Sequence, residues 1–344
     1  MGRGKPRTTQ AGFTLVELLV AMVIGLLVMA GATQLFISSQ QSYRFQTALA
    51  DMQDTGRFAL DTMARELRQV DYSGGCALPQ TTVHLRNMAD ASSLPLPLQA
   101  WDTPNNHDFT ASLVTPLDEQ HVLAFRGGLL ARTGFIDTSL EIAAIDSSQR
   151  LTLNRETDTA FHQRLVLLQG LLNCDIFYNT TSDARTLQKS AAAGWQGNVD
   201  PSESEWGEAS DITYAAGQTV SLSALNSALY YIGRDANNAN VPSLMRLDVS
   251  QTTPRNEVVA SHVVAMRTSF LLDDAYIPPD EIDEAEWPNV RAARITLIIQ
   301  SDRPNLRNAD TTLAIGNFRG DNPFTGGNGR IYQAFTTTIA LRNR

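Results

Sequence analysis

The pattern of hydrophobic and polar positions changes period twice along the chain. Residues 13–37, FTLVELLVAMVIGLLVMAGATQLFI, are apolar on every face and carry a single charge, Glu17. About 20 apolar residues are enough for a helix to cross a bilayer, so this run is long enough. After the polar stretch SSQQSYRFQ, apolar or small residues return at Leu49, Met52, Gly56, Leu60, Met63, Leu67 and Val70. Intervals of three and four mark one helix face, expected to pack against the protein's own domain. No proline falls between Phe13 and Val70, and Gly74 and Gly75 come next. The pattern therefore predicts one helix to about Val70, ended by the glycine pair and roughly 87 Å long at ~1.5 Å per residue. Gly25 and Gly31 are positions where it can bend. Its N-terminal half is expected to project, and its C-terminal half to lie on a head domain.

From about residue 76 the helical period is lost. Short runs rich in Val, Ile, Thr and Tyr replace it, at 121–127, 164–172, 228–233, 257–272, 290–300 and 330–341. These read as half-buried strands separated by clusters of Gly, Pro, Asn and Asp. Long connections are expected at 94–118, 179–211 and 273–289. The fold class is therefore α+β, a long N-terminal helix packed on a mainly antiparallel β head.

Composition narrows the function. With 43% hydrophobic and 18% charged residues among 344, the chain can build a folded core. Its net charge of −9 argues against bulk nucleic-acid binding, which needs many cations to displace counterions. Residues 1–12, MGRGKPRTTQAG, run against that balance, with Arg3, Lys5 and Arg7 and no acid. A basic flank keeps the N-terminus cytoplasmic and sends the chain beyond the apolar run across the membrane. A secretory signal peptide has a shorter apolar region and a small-residue cleavage site, which this segment lacks. A plain anchor leaves Glu17 unexplained, since a carboxylate near the bilayer centre costs about 2.5–3.5 kcal/mol. The cost is smaller near the helix start, but the position still calls for a partner.

Gly12-Phe13-Thr14-Leu15-Val16-Glu17 resembles the processing site of type IV prepilins and of type II secretion pseudopilins. The resemblance implies that a prepilin peptidase cuts between Gly12 and Phe13 and methylates the new N-terminus. The apolar run would then serve first as anchor and later as packing surface. Glu17 would pair with the Phe13 amine of a neighbouring subunit and set its register, a use of buried charge for specificity. Four further patterns resemble PilW-type minor pilins: YYIGRDANNANVPSLMRLDV (230–249), EVVASHVVAMRTSFLLDD (257–274), WPNVRAARITLIIQS (287–301) and the ending TTTIALRNR.

On this resemblance residues 1–12 are a leader, 13–37 a transmembrane and assembly helix, 38–73 its amphipathic continuation, and 74–344 a periplasmic head. The expected role is that of a low-abundance, non-enzymatic pilin initiating pilus assembly, with the pilus tip as a candidate position. Its partners would be the prepilin peptidase, other minor pilins, the major pilin, the assembly machinery and the inner membrane. It would cross that membrane once before joining the pilus, and no cofactor or metal is implied. A J-like minor pseudopilin of type II secretion is the alternative; the K type is disfavoured because it typically lacks the acidic residue supplied here by Glu17. An anchored periplasmic enzyme or binding domain is the second alternative, favoured if the head holds a deep pocket with converging titratable groups.

Cys76 and Cys174 are the two cysteines, and an even count outside the cytoplasm favours a disulfide. It would tie the head to the end of the stem and stabilise by up to roughly 4–5 kcal/mol. Neither cysteine has zinc-ligand spacing. His84, His107, His121, His162 and His262 form no metal or hydrolase motif, and each reads as a surface or satisfied core residue. The acidic group Asp273, Asp274, Asp280, Glu281, Asp283, Glu284 and Glu286 lacks the spacing of a calcium loop and reads as solvated. Trp195 and Trp206 lie in a polar stretch, where they either meet a partner or pin the loop.

Overall fold

The computed structural model describes residues 14–71, 76, 81–86, 98–117, 122–129, 136–191, 197–202, 204–210, 212–235, 238–306, 309–313 and 323–341. Two compact units divide the chain, Met1–Ala50 and Asp51–Arg344. Helix α1 is continuous over Leu15–Leu67. The strands come in chain order: β1 (Thr81–Val83), β2 (Leu98–Trp101), β3 (Val122–Leu129), β4 (Ile136–Ser147), β5 (Arg150–Leu153) and β6 (Arg164–Gln169). Next are β7 (Cys174–Asn179), β8 (Thr186–Gln188), β9 (Thr219–Asp235), β10 (Asn238–Asp248), β11 (Arg255–Ser261) and β12 (Val263–Leu272). The last are β13 (Ala275–Ile277), β14 (Ala292–Gln300), β15 (Thr311–Leu313), β16 (Phe324–Gly326) and β17 (Tyr332–Ala340). A long apolar helix ahead of a mostly antiparallel β domain is the α+β class that the period changes predict.

In the first unit, the side chains from Leu15 to Ile37 are exposed, as an apolar stretch without its own core must be. In the second, Met52, Gly56, Leu60, Met63 and Leu67 are buried along the predicted stripe, joined by Ala59 and Ala64. Leu49 is half-buried. Gly56 is small for a reason, because a Cβ there would come within 2.7 Å of the Phe335 ring on β17. The helix ends at Leu67 rather than Val70, whose N–H bonds to the Leu67 carbonyl in a tighter final turn, with its side chain buried. Gly74 and Gly75 lie outside the described residues.

Among the described residues, eleven strands form one sheet and four another, in the order β13-β12-β14-β17. The 17-residue β9 is the spine of the larger sheet. Its first half pairs with β4 and β6, its second with β3 and β10. Pairing between these strands is antiparallel throughout except for β1 on β7. Such length suits a strand buried on both faces, and all of Leu222, Ala224, Leu225, Ala228, Leu229 and Tyr230 are enclosed.

Several predicted segments divide differently. The run 257–272 is two strands in two sheets, broken at His262 in the left-handed region with φ 64°. The run 164–172 ends as β6 at Gln169, and the chain turns through Gly170–Asn173 into β7. Loop 179–211 contains β8 and a 3₁₀ turn, and loop 273–289 holds β13 and two more 3₁₀ turns. Within the latter, Asp283 and Glu286 form a capping box, so these two carboxylates serve the backbone. Cys76 and Cys174 are joined by a disulfide with Cα atoms 6.2 Å apart, packed with Leu85, Leu165, Leu167 and Ile176.

Candidate functional site

Two places concentrate chemistry. The first is the start of α1. Thr14 is the residue before the helix, and its hydroxyl accepts the Glu17 N–H at 3.3 Å. Glu17 Oε2 in turn accepts the Thr14 N–H at 3.0 Å and the Thr14 hydroxyl at 3.1 Å. This is a reciprocal capping box, in which two N–H groups with no intrahelical acceptor are satisfied. A carboxylate in the first turn also sits favourably against the helix dipole. Glu17 thus has a partner within its own chain, and the T-x-x-E spacing ahead of an apolar run is the sequence signal that marks it. Gly12 and Phe13 lie outside the described residues. By length and composition, α1 is able to cross a membrane.

The second is a buried polar centre in the head. His84, at the end of β1, has both ring nitrogens engaged. Its Nε2 is 2.6 Å from Asp175 Oδ1, and its Nδ1 lies 2.7 Å from Ser204 Oγ and 3.1 Å from Lys189 Nζ. Two donors on Nδ1 leave Nε2 as the protonated nitrogen, donating to Asp175. The carboxylate accepts two more bonds, from Gly207 N–H at 3.0 Å and from Tyr214 hydroxyl at 2.7 Å. Gly207 has φ 72°, and a Cβ there would strike the Ile212 carbonyl oxygen at 2.3 Å, so the turn that aims this N–H depends on glycine.

Lys189 is 1% exposed, donates to the Ser204 carbonyl oxygen and stands 4.7 Å over the Trp206 ring. Burial pulls its ammonium down to about 8, against the opposing pull of Asp175, Glu208 and Glu205. Burial likewise lowers His84, with the Asp175 bond acting against it, and raises the Tyr214 hydroxyl well above its ordinary value. Trp206 is buried, donates to the Ser147 carbonyl oxygen at 3.2 Å and packs edge-on against Phe177. It pins its loop. Trp195 lies outside the described residues.

Sequence reasoning did not assemble this centre, because its members come from positions 84, 175, 189, 204 and 214 with no fixed spacing. One signal was present. Asp175 is a lone charge in the apolar run CDIFY, and β7 is buried at all six positions, so this charge had to be partnered inside.

A third polar group ties the end of α1 to the sheet. Glu66 accepts from Asn226 at 3.1 Å, from Arg246 Nε at 3.2 Å and from the Tyr230 hydroxyl. Arg246 also reaches Glu257 and Asp248, at 3.4 and 3.7 Å. Burial raises the Tyr230 hydroxyl, and the Glu66 charge adds to the effect.

Comparison with known families agrees with both ends of the chain. The prokaryotic N-terminal methylation motif matches residues 7–33, which contain Gly12, Phe13 and Glu17. That class of N-terminus supports a pilin-like role. The type IV pilus-assembly protein W family, PilW, matches residues 229–343, from the second half of β9 through β17. Together the two matches are consistent with a PilW-type pilin, associated with the pilus and anchored through its apolar helix. No curated protein and no solved structure matches the chain.

Proposed function

We propose that the chain is a minor type IV pilin that helps initiate pilus assembly, with the pilus tip as its candidate position. The observation that carries this reading is the Thr14–Glu17 box opening a helix whose apolar side chains are exposed from Leu15 to Ile37, just after Gly12-Phe13. A helix so built is stable as a single unit yet leaves its whole apolar surface for lipid or for other helices. Prepilin peptidase cuts after Gly12, and Phe13 becomes the methylated N-terminus. Leader removal takes Arg3, Lys5 and Arg7 with it and shifts the net charge from −9 to −12. When the subunit leaves the membrane, Glu17 exchanges its Thr14 bonds for the Phe13 amine of a neighbour. Orientation is set by the basic leader, with the N-terminus cytoplasmic and the head periplasmic. Assembly, rather than catalysis, is the role the resemblance implies.

Replacing the chromosomal copy with Gly12→Ala tests the reading. Mass spectrometry should find the leader retained, and surface pili should fall to the level of a deletion strain. Recovery of methylated Phe13 from this variant would overturn the processing step. Normal pilus numbers with lost type II secretion would instead assign the chain to a pseudopilin of that system.

A further inference from the structure

We propose that Ser204, His84 and Asp175 form a serine acyl-transfer centre in the head, taking small uncharged esters in the cleft beside β1. The arrangement has the three elements such chemistry needs: a hydroxyl on a base, the base on a carboxylate, and the carboxylate held in place. Ser204 Oγ is 2.7 Å from His84 Nδ1, and His84 Nε2 is 2.6 Å from Asp175 Oδ1. Gly207 N–H and the Tyr214 hydroxyl fix the carboxylate from two further directions. Asp175 is a positioning residue, because it acts only through His84. Nδ1 has one lone pair, and the serine hydroxyl is the nearer of its two donors.

A cleft borders Ser204, whereas His84, Asp175 and Lys189 are almost fully buried. The cleft volume is about 450 Å³, and Ser204 forms part of its wall with Thr82, Val83, Val199, Glu208 and Ala209. The volume fits a small ligand. Val83, Val199 and Ala209 favour an apolar acyl group, and the Glu208 carboxylate repels anionic substrates. Burial keeps His84 below its usual pKa and so favours the neutral ring, the form whose Nδ1 can accept a proton.

In the first step Ser204 Oγ bonds to the ester carbonyl carbon as the C=O π pair moves to oxygen, and the serine proton passes to His84 Nδ1. The Lys189 ammonium lies 3.1 Å from that same nitrogen and opposes the positive charge the ring gains, which Asp175 offsets through Nε2. Collapse breaks the bond to the leaving alkoxide, which takes the proton from His84. Water then repeats the sequence on the acyl-serine, releasing the acid and restoring the hydroxyl. No oxidant, metal or cofactor is needed.

The test uses the full-length chain in detergent micelles, with a fluorophosphonate probe and p-nitrophenyl acetate. A single phosphonyl adduct should map to Ser204 and be lost in Ser204→Ala, with ester hydrolysis falling by at least about 100-fold. Ser204→Ala removes one oxygen, and unchanged circular dichroism and urea midpoint would show that it folds. Ser204→Cys should react with iodoacetamide faster than a free thiol at pH 7, because its sulfur would lie on the same base. A wild-type chain that takes no adduct, an adduct on another residue, or equal hydrolysis by wild type and Ser204→Ala would each overturn the proposal. Loss of pili in Ser204→Ala is not required, so this test can fail without touching the assembly reading.

Discussion

Two carboxylates on one helix show how the two parts of this chain differ. Glu17 bonds to Thr14, three residues away, and stays exposed. Glu66, in the last turn of the same helix, bonds to Asn226, Tyr230 and Arg246, at least 160 residues away. In the first unit the side-chain bonds of Thr14, Glu17, Thr33 and Thr47 all reach no farther than four residues along the helix. In the second, polar groups are satisfied only if distant segments have already come together. A local bond forms whether or not the head is folded, whereas a long-range network reports whether the head is folded. The difference teaches that the start of the helix needs no tertiary structure for its polar bonds, whereas its end does.

The largest effect should come from the longest covalent link. The Cys76–Cys174 disulfide joins residues 98 positions apart. In the chain-entropy account, opening a loop of about that length costs on the order of 3–5 kcal/mol. All four tryptophans, Trp101, Trp195, Trp206 and Trp287, belong to the second unit, so their emission reads the head alone. Cys174→Ser, or reduction of the wild type, should lower the urea midpoint read by tryptophan. Helicity from the first unit should persist beyond it. Coincident loss of both signals would break the division into local and long-range parts.

Glu66→Ala comes next. It leaves the Tyr230 hydroxyl without its carboxylate and Arg246 with Glu257, Asp248 and the Asn226 side-chain oxygen, at 3.4, 3.7 and 2.7 Å. Removing one partner of a largely buried ion pair costs about 2–4 kcal/mol. The expected fall in the same tryptophan-read midpoint is of that size, and a change below about 0.5 kcal/mol would show the network to be dispensable.

The sequence made the helix legible because each of its signals is local: a continuous apolar run, then intervals of three and four from Leu49 to Val70, three residues past the helix end at Leu67. Motif reading was equally local, and Gly12 to Glu17 occupies six consecutive positions. The features that stayed hidden depend on register between distant strands. The break at His262 separates two sheets inside one apolar run, and nothing in VVASHVVAM distinguishes a bend from a continuing strand. His84 met Asp175 only because β1 pairs in parallel with β7, with Thr81 opposite Cys174. Parallel pairing between segments so far apart has no signature in either segment.

A smaller effect should appear in the pH dependence of the head. Lys189 faces Asp175, His84, Ser204, Glu205 and Glu208, and burial pulls it from 10.5 down to about 8. Between pH 8 and 10 the unfolded chain therefore holds a proton there that the folded head has lost. Stability rises with pH wherever the unfolded state binds more protons, so this residue favours the fold increasingly across that window. Near pH 10 and above, the raised Tyr214, Tyr230, Tyr231 and Tyr332 act in the opposite sense. Urea midpoints measured at pH 8 and pH 9 should increase for the wild type and stay nearly flat for Lys189→Met. An equal rise in both would place the titrating group elsewhere.

The smallest effect on stability, paired with a clear effect on assembly, is expected at Glu17. Its box with Thr14 supports the helix start and contributes nothing to the head. Glu17→Ala should leave the tryptophan-read midpoint within about 0.5 kcal/mol of wild type. It should still be processed after Gly12, yet it should enter pili poorly. Glu17→Gln divides the two roles of the side chain, since an amide oxygen can still accept the Thr14 N–H but cannot pair with a charged amine. If the carboxylate sets register through its charge, Gln is as defective as Ala in pilus number. If capping alone matters, Gln restores assembly and the intersubunit pairing with Phe13 is wrong. A head midpoint that moves with Glu17→Ala as far as with Glu66→Ala would end the comparison itself, because a local bond would then be holding distant parts together.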